Sequence, residues 1–76
     1  MIYAQRIKEL RQQNKKRQDE IAKLLNTSQQ YYGQYELDKR PMPIEHLMTL
    51  CEYYQVSPEY ILGYIDEQKE LPRSGK

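Results

Sequence analysis

The chain has 76 residues, with 12 Lys and Arg against 11 Asp and Glu and 38% hydrophobic residues, so its apolar side chains must nearly all serve one small core. That excludes a large enzyme architecture, and no apolar run approaches the ~18 residues needed to span a bilayer. The polar start from Gln5 and the lone Cys51, which can form no internal disulfide, predict a cytoplasmic protein without a secretory leader.

Charge is unevenly divided along the chain. Residues 1–40 hold nine Lys and Arg against five Asp and Glu, whereas residues 41–76 hold three against six. A basic half beside an acidic half suits a protein that turns one face to a polyanion, and a chance split is the competing reading.

Gly and Pro occur only at 33, 41, 43, 58, 63, 72 and 75, and no β-hairpin dipeptide is present, so the chain is predicted all-α. Tyr3, Ile7 and Leu10 mark an amphipathic first helix over about residues 3–13, ended by the polar run Gln13–Arg17. Ile21, Ala22 and Leu25 form the stripe of a short second helix from Gln18, with Asp19 and Glu20 in the first turn where they complement the helix dipole. Asn26 is suited to the left-handed conformation that stops a helix, and Thr27-Ser28 supplies the next N-cap. A third helix over about residues 29–37 sends Tyr32 and Tyr35 inward and ends at Asp38. So short a connection between the second and third helices forces a sharp angle, as in a helix-turn-helix.

Pro41-Met42-Pro43 predicts an extended connection, with Pro43 opening a fourth helix. Ile44, Leu47, Met48 and Cys51 follow i, i+3, i+4, i+7, and Leu50 and Tyr54 widen that face. Ser57 caps a fifth helix that begins at Pro58 and carries Tyr60, Ile61 and Ile65 inward. Residues 1–65 thus make a compact five-helix bundle, and 66–76 a polar, flexible tail.

Gln18, Gln29, Gln30 and Gln34 gather around the sharp turn while the apolar residues of the same helices point elsewhere. A carboxamide offers an acceptor and donors in one plane and can pair with adenine N6 and N7 in a major groove. Gln29, Gln30 and Gln34 can all be presented outward from the first turns of the third helix, with Arg17, Lys39 and Arg40 placed to hold flanking phosphates. The competing reading is that these glutamines are helix formers on a wet surface.

The runs Gln18-Asp19-Glu20-Ile21-Ala22-Lys23-Leu24-Leu25, Ser28-Gln29-Gln30 and Gln34-Tyr35-Glu36-Leu37-Asp38-Lys39-Arg40 resemble the helix-turn-helix of Cro/cI-type (xenobiotic-response-element family) regulators. The likeness extends through Leu47, Leu50 and Val56–Gly63, and Thr27–Gln30 with Gln34 is similar to a lambdoid phage repressor's recognition helix. It implies a lambda-repressor-like fold whose third helix enters the major groove, as a homodimer on a near-palindromic operator. By the same resemblance Gln29, Gln30 and Gln34 would read bases, with Tyr31 beside the groove. Gln18, Arg17, Lys39 and Arg40 would meet phosphate, and Arg11 and Glu36 would form a structural ion pair.

The chain departs from that pattern at several positions. Arg17 stands where Ser or Thr usually caps the second helix, so that cap is weaker or replaced. Tyr32 replaces an aliphatic residue and brings a hydroxyl that needs a partner once buried. Gly33 sits mid-helix at about 1 kcal/mol relative to Ala, either permitting a close approach of DNA or simply tolerated.

Most of the eight tyrosines serve as core area, while Tyr53, Leu62, Tyr64 and Ile65 are left over as a candidate dimer surface. Catalysis is not expected: Cys51 and His46 share no helix face, Cys51 reads as a core residue and His46 as a surface one. No cofactor or metal is expected, since neither zinc-ligand spacing nor a phosphate loop occurs. The leading expectation is a sequence-specific double-stranded DNA-binding transcriptional repressor of a phage or mobile element. The alternative is a protein-interaction module, such as an antitoxin or anti-repressor partner, using the acidic half.

Overall fold

The structure, a computed structural model, describes residues 2–68. It has five helices: α1 (Ile2–Gln13), α2 (Gln18–Leu24), α3 (Gln29–Glu36), α4 (Ile44–Tyr54) and α5 (Pro58–Leu62). No strand occurs among the described residues, and the fold is the expected lambda-repressor-like bundle. α2 packs on α3, α1 on α3 and α5, and α4 on α5. The fully enclosed centre is Ile7 and Leu10 of α1, Ile21 of α2, Tyr32 and Tyr35 of α3, Leu50 and Cys51 of α4 and Ile61 of α5. Each helix contributes at least one residue there, so none can be lost without opening the core.

Local chemistry accounts for most helix ends. The Ser28 hydroxyl accepts the Tyr31 amide at 3.0 Å, and the Ser57 hydroxyl accepts that of Tyr60 at 3.3 Å, with Pro58 at the first helical position. Asn26 and Asp38 adopt φ of 59° and 60°, the left-handed stops expected after α2 and α3. Lys15 and Gln55 do the same at 57° and 58° after α1 and α4, where the amides of Lys16 and Val56 close the helix ends on the carbonyls of Arg11 and Cys51. At α2 the Arg17 side chain caps nothing; instead the Glu20 carboxylate reaches back to accept the Arg17 amide at 2.8 Å. The missing Ser or Thr is replaced by one half of a capping box.

The structure corrects several expectations. Ile44 is 68% exposed and Met48 is also exposed, because the buried face of α4 centres on Leu47, Leu50, Cys51 and Tyr54 and leaves those two on its flank. Ile65 lies beyond α5, which stops at Gly63 with φ of 91°. A Cβ at Gly63 would collide with the Ile2 side chain, so both backbone and space require glycine there. Tyr32 is fully buried, yet its hydroxyl and that of Tyr54 find no hydrogen-bond partner among the described residues.

Arg6 ties the two ends of the domain together. One of its terminal nitrogens donates to the carbonyls of Tyr60 and Ile65, both at 2.8 Å, and the other meets Asp66 at 3.1 Å, while the guanidinium lies 4.2 Å above the Tyr60 ring. Gln68 donates to Gln13 and to the Tyr60 hydroxyl. Of the expected tail, residues 69–76 lie outside the described residues.

Candidate nucleic-acid interface

α2 and α3 are joined by only Leu25–Ser28, and they meet with their polar edges on one side. Gln18, Gln29, Gln30, Gly33, Gln34 and Leu37 line a single surface concavity there. Gln29 and Gln30 are exposed, while Gln18 and Gln34 are half-buried and hydrogen-bonded within the protein. The apolar and aromatic stripe of α3 (Tyr32 and Tyr35) is directed into the core, which leaves the Gln29 and Gln30 carboxamides exposed on the other side of the helix.

Behind this edge stands a buried ion pair. The Arg11 guanidinium meets the Glu36 carboxylate twice, at 2.7 Å from Nε and 3.0 Å from a terminal nitrogen, and gives a third hydrogen bond to the Lys16 carbonyl at 3.0 Å. The side chain of Glu36 is 3% exposed and that of Arg11 13%. Burial by itself would raise the Glu36 carboxyl, but the Arg11 hydrogen bond, the neighbouring Tyr32 hydroxyl, the Gln18 amide and the Arg11 charge outweigh it and hold the group below the usual carboxylate range. The hydrogen bond from Arg11 to Glu36 likewise raises the Arg11 guanidinium, against the opposing effect of burial. Tyr32 is pushed far up by burial first and by Glu36 second.

Gln18 belongs to this network. Its Nε2 donates to Glu36 Oε1 at 3.1 Å, which links α2 to the end of α3 and orients the carboxamide. The amide passes over Gly33, where an added Cβ would sit 3.7 Å and 3.8 Å from it. That is ordinary contact, so nothing within the chain demands glycine at position 33.

The basic residues assigned to phosphate are differently placed. Arg17 is highly exposed and turned along α2 onto Asp19, with Nε 3.0 Å from the carboxylate, and this contact lowers the Asp19 carboxyl. Lys39 is exposed. Arg40 is half-buried and donates from Nε to Gln34 Oε1 at 2.8 Å, with its guanidinium 4.3 Å above the ring of Tyr31. Tyr31 in turn stands edge-on to Tyr35 at 5.7 Å.

Two features escape sequence reasoning. His46, expected at the surface, is half-buried, and its Nδ1 lies 3.0 Å from the Tyr35 hydroxyl. The Arg40 contacts to Gln34 and Tyr31 were also invisible, since the turn after α3 must fold back before they form. Of the candidate dimer residues, Tyr53, Leu62 and Tyr64 are exposed, the last at 80%. Ile65 is not left over: it packs against the core cluster.

A helical pair joined by a tight turn, with its polar edge exposed and its apolar side in a five-helix core, is the architecture of a helix-turn-helix regulator domain. The chain belongs to the Cro/cI-type helix-turn-helix family, whose pattern matches residues 7–61. It is 33% identical over 66 residues to the uncharacterized HTH-type transcriptional regulator YobD of Bacillus subtilis strain 168, a match covering 87% of this chain and 59% of that protein. It is 34% identical over 70 residues to the HTH-type transcriptional regulator ImmR of the same organism, covering 92% of this chain and 55% of that protein. The chain thus spans a little over half the length of these curated relatives. No solved structure matches it significantly. Among the described residues no helix is long and apolar enough to cross a membrane.

Proposed function

We propose that the domain binds double-stranded DNA in a sequence-specific manner through the major groove and acts as a transcriptional repressor. The observation that carries this is the gathering of Gln18, Gln29, Gln30 and Gln34 on one exposed concavity between α2 and α3, backed by the buried Arg11–Glu36 ion pair between α1 and α3, whose carboxylate also holds Gln18 of α2. Gln29 and Gln30, exposed on the first turn of α3, offer their carboxamides to base edges, as does Gln34 one turn further on. Lys39, Arg17 and the rim of Gln18 contribute backbone contacts, with Arg17 exchanging Asp19 for phosphate. Two copies on a near-palindromic operator would bring exposed Tyr53, Leu62 and Tyr64 into reach of a partner copy.

Selection from a random duplex pool at near-physiological salt tests this. The expected result is an enriched short inverted repeat, whose affinity falls to the nonspecific level in a Gln29→Ala, Gln30→Ala variant that remains folded. An unenriched pool, or an operator affinity untouched by the double change, would refute the reading and favour a protein partner instead.

A further inference from the structure

We infer that Arg40 is a positioning residue that sets the base preference of Gln34, making it a hydrogen-bond donor to guanine or thymine and disfavouring adenine. This rests on the proposal that α3 reads DNA bases. A free glutamine carboxamide is ambivalent, because rotation by half a turn exchanges its oxygen and its amino group. Gln34 is not free. Arginine Nε–H only donates, so the Gln34 atom it meets at 2.8 Å is the carbonyl oxygen. The carboxamide is planar, so holding its oxygen against Arg40 directs the amino group away from Arg40.

Arg40 is itself held, because its guanidinium is stacked 4.3 Å above the Tyr31 ring and that ring abuts buried Tyr35. That contact, together with the Nε–H bond to Gln34, holds the guanidinium at two points, which a lysine ammonium at this site would not reproduce. Gln34 thus presents N–H groups beside a fixed positive charge. Guanine O6 and N7 and thymine O4 are acceptors that fit this end of the edge, whereas adenine offers there only N7, and its adjacent N6 amino group brings a donor toward a donor and a cation. Gln29 and Gln30 lie outside this clamp and keep both orientations. One turn of helix therefore separates two adaptable glutamines from one whose polarity is set by its neighbours.

The test measures affinity for duplexes carrying each base pair in turn at the operator position that responds to Gln34→Ala. The wild-type protein should prefer guanine or thymine facing Gln34 and bind the adenine duplex about fivefold or more weakly, the lower end of what one good base contact supplies. Arg40→Met should flatten the preference at that position alone, with adenine gaining most. Tyr31→Phe should retain the preference, and Tyr31→Leu should weaken it. A wild-type preference for adenine, or an Arg40→Met loss equal for all four base pairs, would overturn the inference and leave Arg40 as a phosphate contact.

A DNA-free measurement separates failure of the clamp from failure of the DNA-reading proposal. The Arg40 Nε–H resonance should exchange slowly with water in the wild type and faster in Gln34→Ala. Unchanged exchange would refute the clamp itself. Slow exchange that depends on Gln34, combined with no operator position responding to Gln34→Ala, would instead refute base reading by Gln34 and the inference with it.

Discussion

Replacing Arg11 by Met removes both hydrogen bonds to Glu36 and the one to the Lys16 carbonyl. It leaves a carboxylate only 3% exposed with the Gln18 amide and the neighbouring Tyr32 hydroxyl as what still favours its charge. Removing one partner of a buried pair typically costs 3–5 kcal/mol, and because Arg11 keeps slight contact with water the lower end applies, about 3 kcal/mol. In a domain of this size that corresponds to a fall in melting temperature of roughly 12–24 °C. Denaturant unfolding at pH 7 gives the free energy directly, and Arg11→Met with Glu36→Gln should lose less than Arg11→Met alone, since no buried charge is then stranded.

The pH profile supplies a second signature. In the wild type the folded-state carboxyl of Glu36 titrates below its unfolded value. Its stabilising contribution is therefore complete above the unfolded pKa of about 4.3 and is lost as pH falls through the lower folded value. Without Arg11, burial dominates and the folded-state pKa rises. Stability of Arg11→Met should then increase as pH falls from neutrality toward the unfolded pKa. A loss under about 1 kcal/mol, the range of a surface pair, together with an unchanged pH profile, would refute the buried-pair argument.

Two further outcomes are expected. Gly33→Ala should raise the unfolding free energy by about 0.5–1 kcal/mol, because its Cβ meets the Gln18 amide only at ordinary contact distance while the helix gains a better former; Gly63→Ala should lose stability through its positive φ and the Ile2 collision. The Cys51 thiol, fully enclosed and pushed up to about 11 by burial first and Glu52 second, should react with alkylating reagents at neutral pH only as fast as the domain opens; labelling at the rate of a free thiol would contradict its placement.

Helix number, order and approximate ends were legible because their causes are local. Ser28 and Ser57 accept amides three residues ahead, and Asn26 and Asp38 turn left-handed where the apolar stripe ends. The glutamine edge was legible for the same reason, since helical spacing places Gln29, Gln30 and Gln34 away from Tyr32 and Tyr35. The pairing of Arg11 with Glu36 was expected from family resemblance rather than from spacing. Ile44 and Met48 show the limit of periodicity: a pattern of apolar residues gives a face, and only the neighbouring helices decide which part of it is covered.

What the sequence by itself determined, then, is an all-helical domain with a tight turn between α2 and α3 and a polar edge at that turn. Those properties follow from interactions within about one helical turn, which the order of residues specifies directly. The tertiary structure decided which groups on that edge are free and which are committed. Glu36 holds Gln18 from 18 residues away, Arg6 reaches 54 and 59 residues to Tyr60 and Ile65, His46 finds Tyr35 across the loop before α4, and Arg40 folds back on Gln34 and Tyr31. Such contacts depend on where packed helices bring side chains in space, and a hydrogen bond tolerates only a few tenths of an ångström, so spacing along the chain does not determine them.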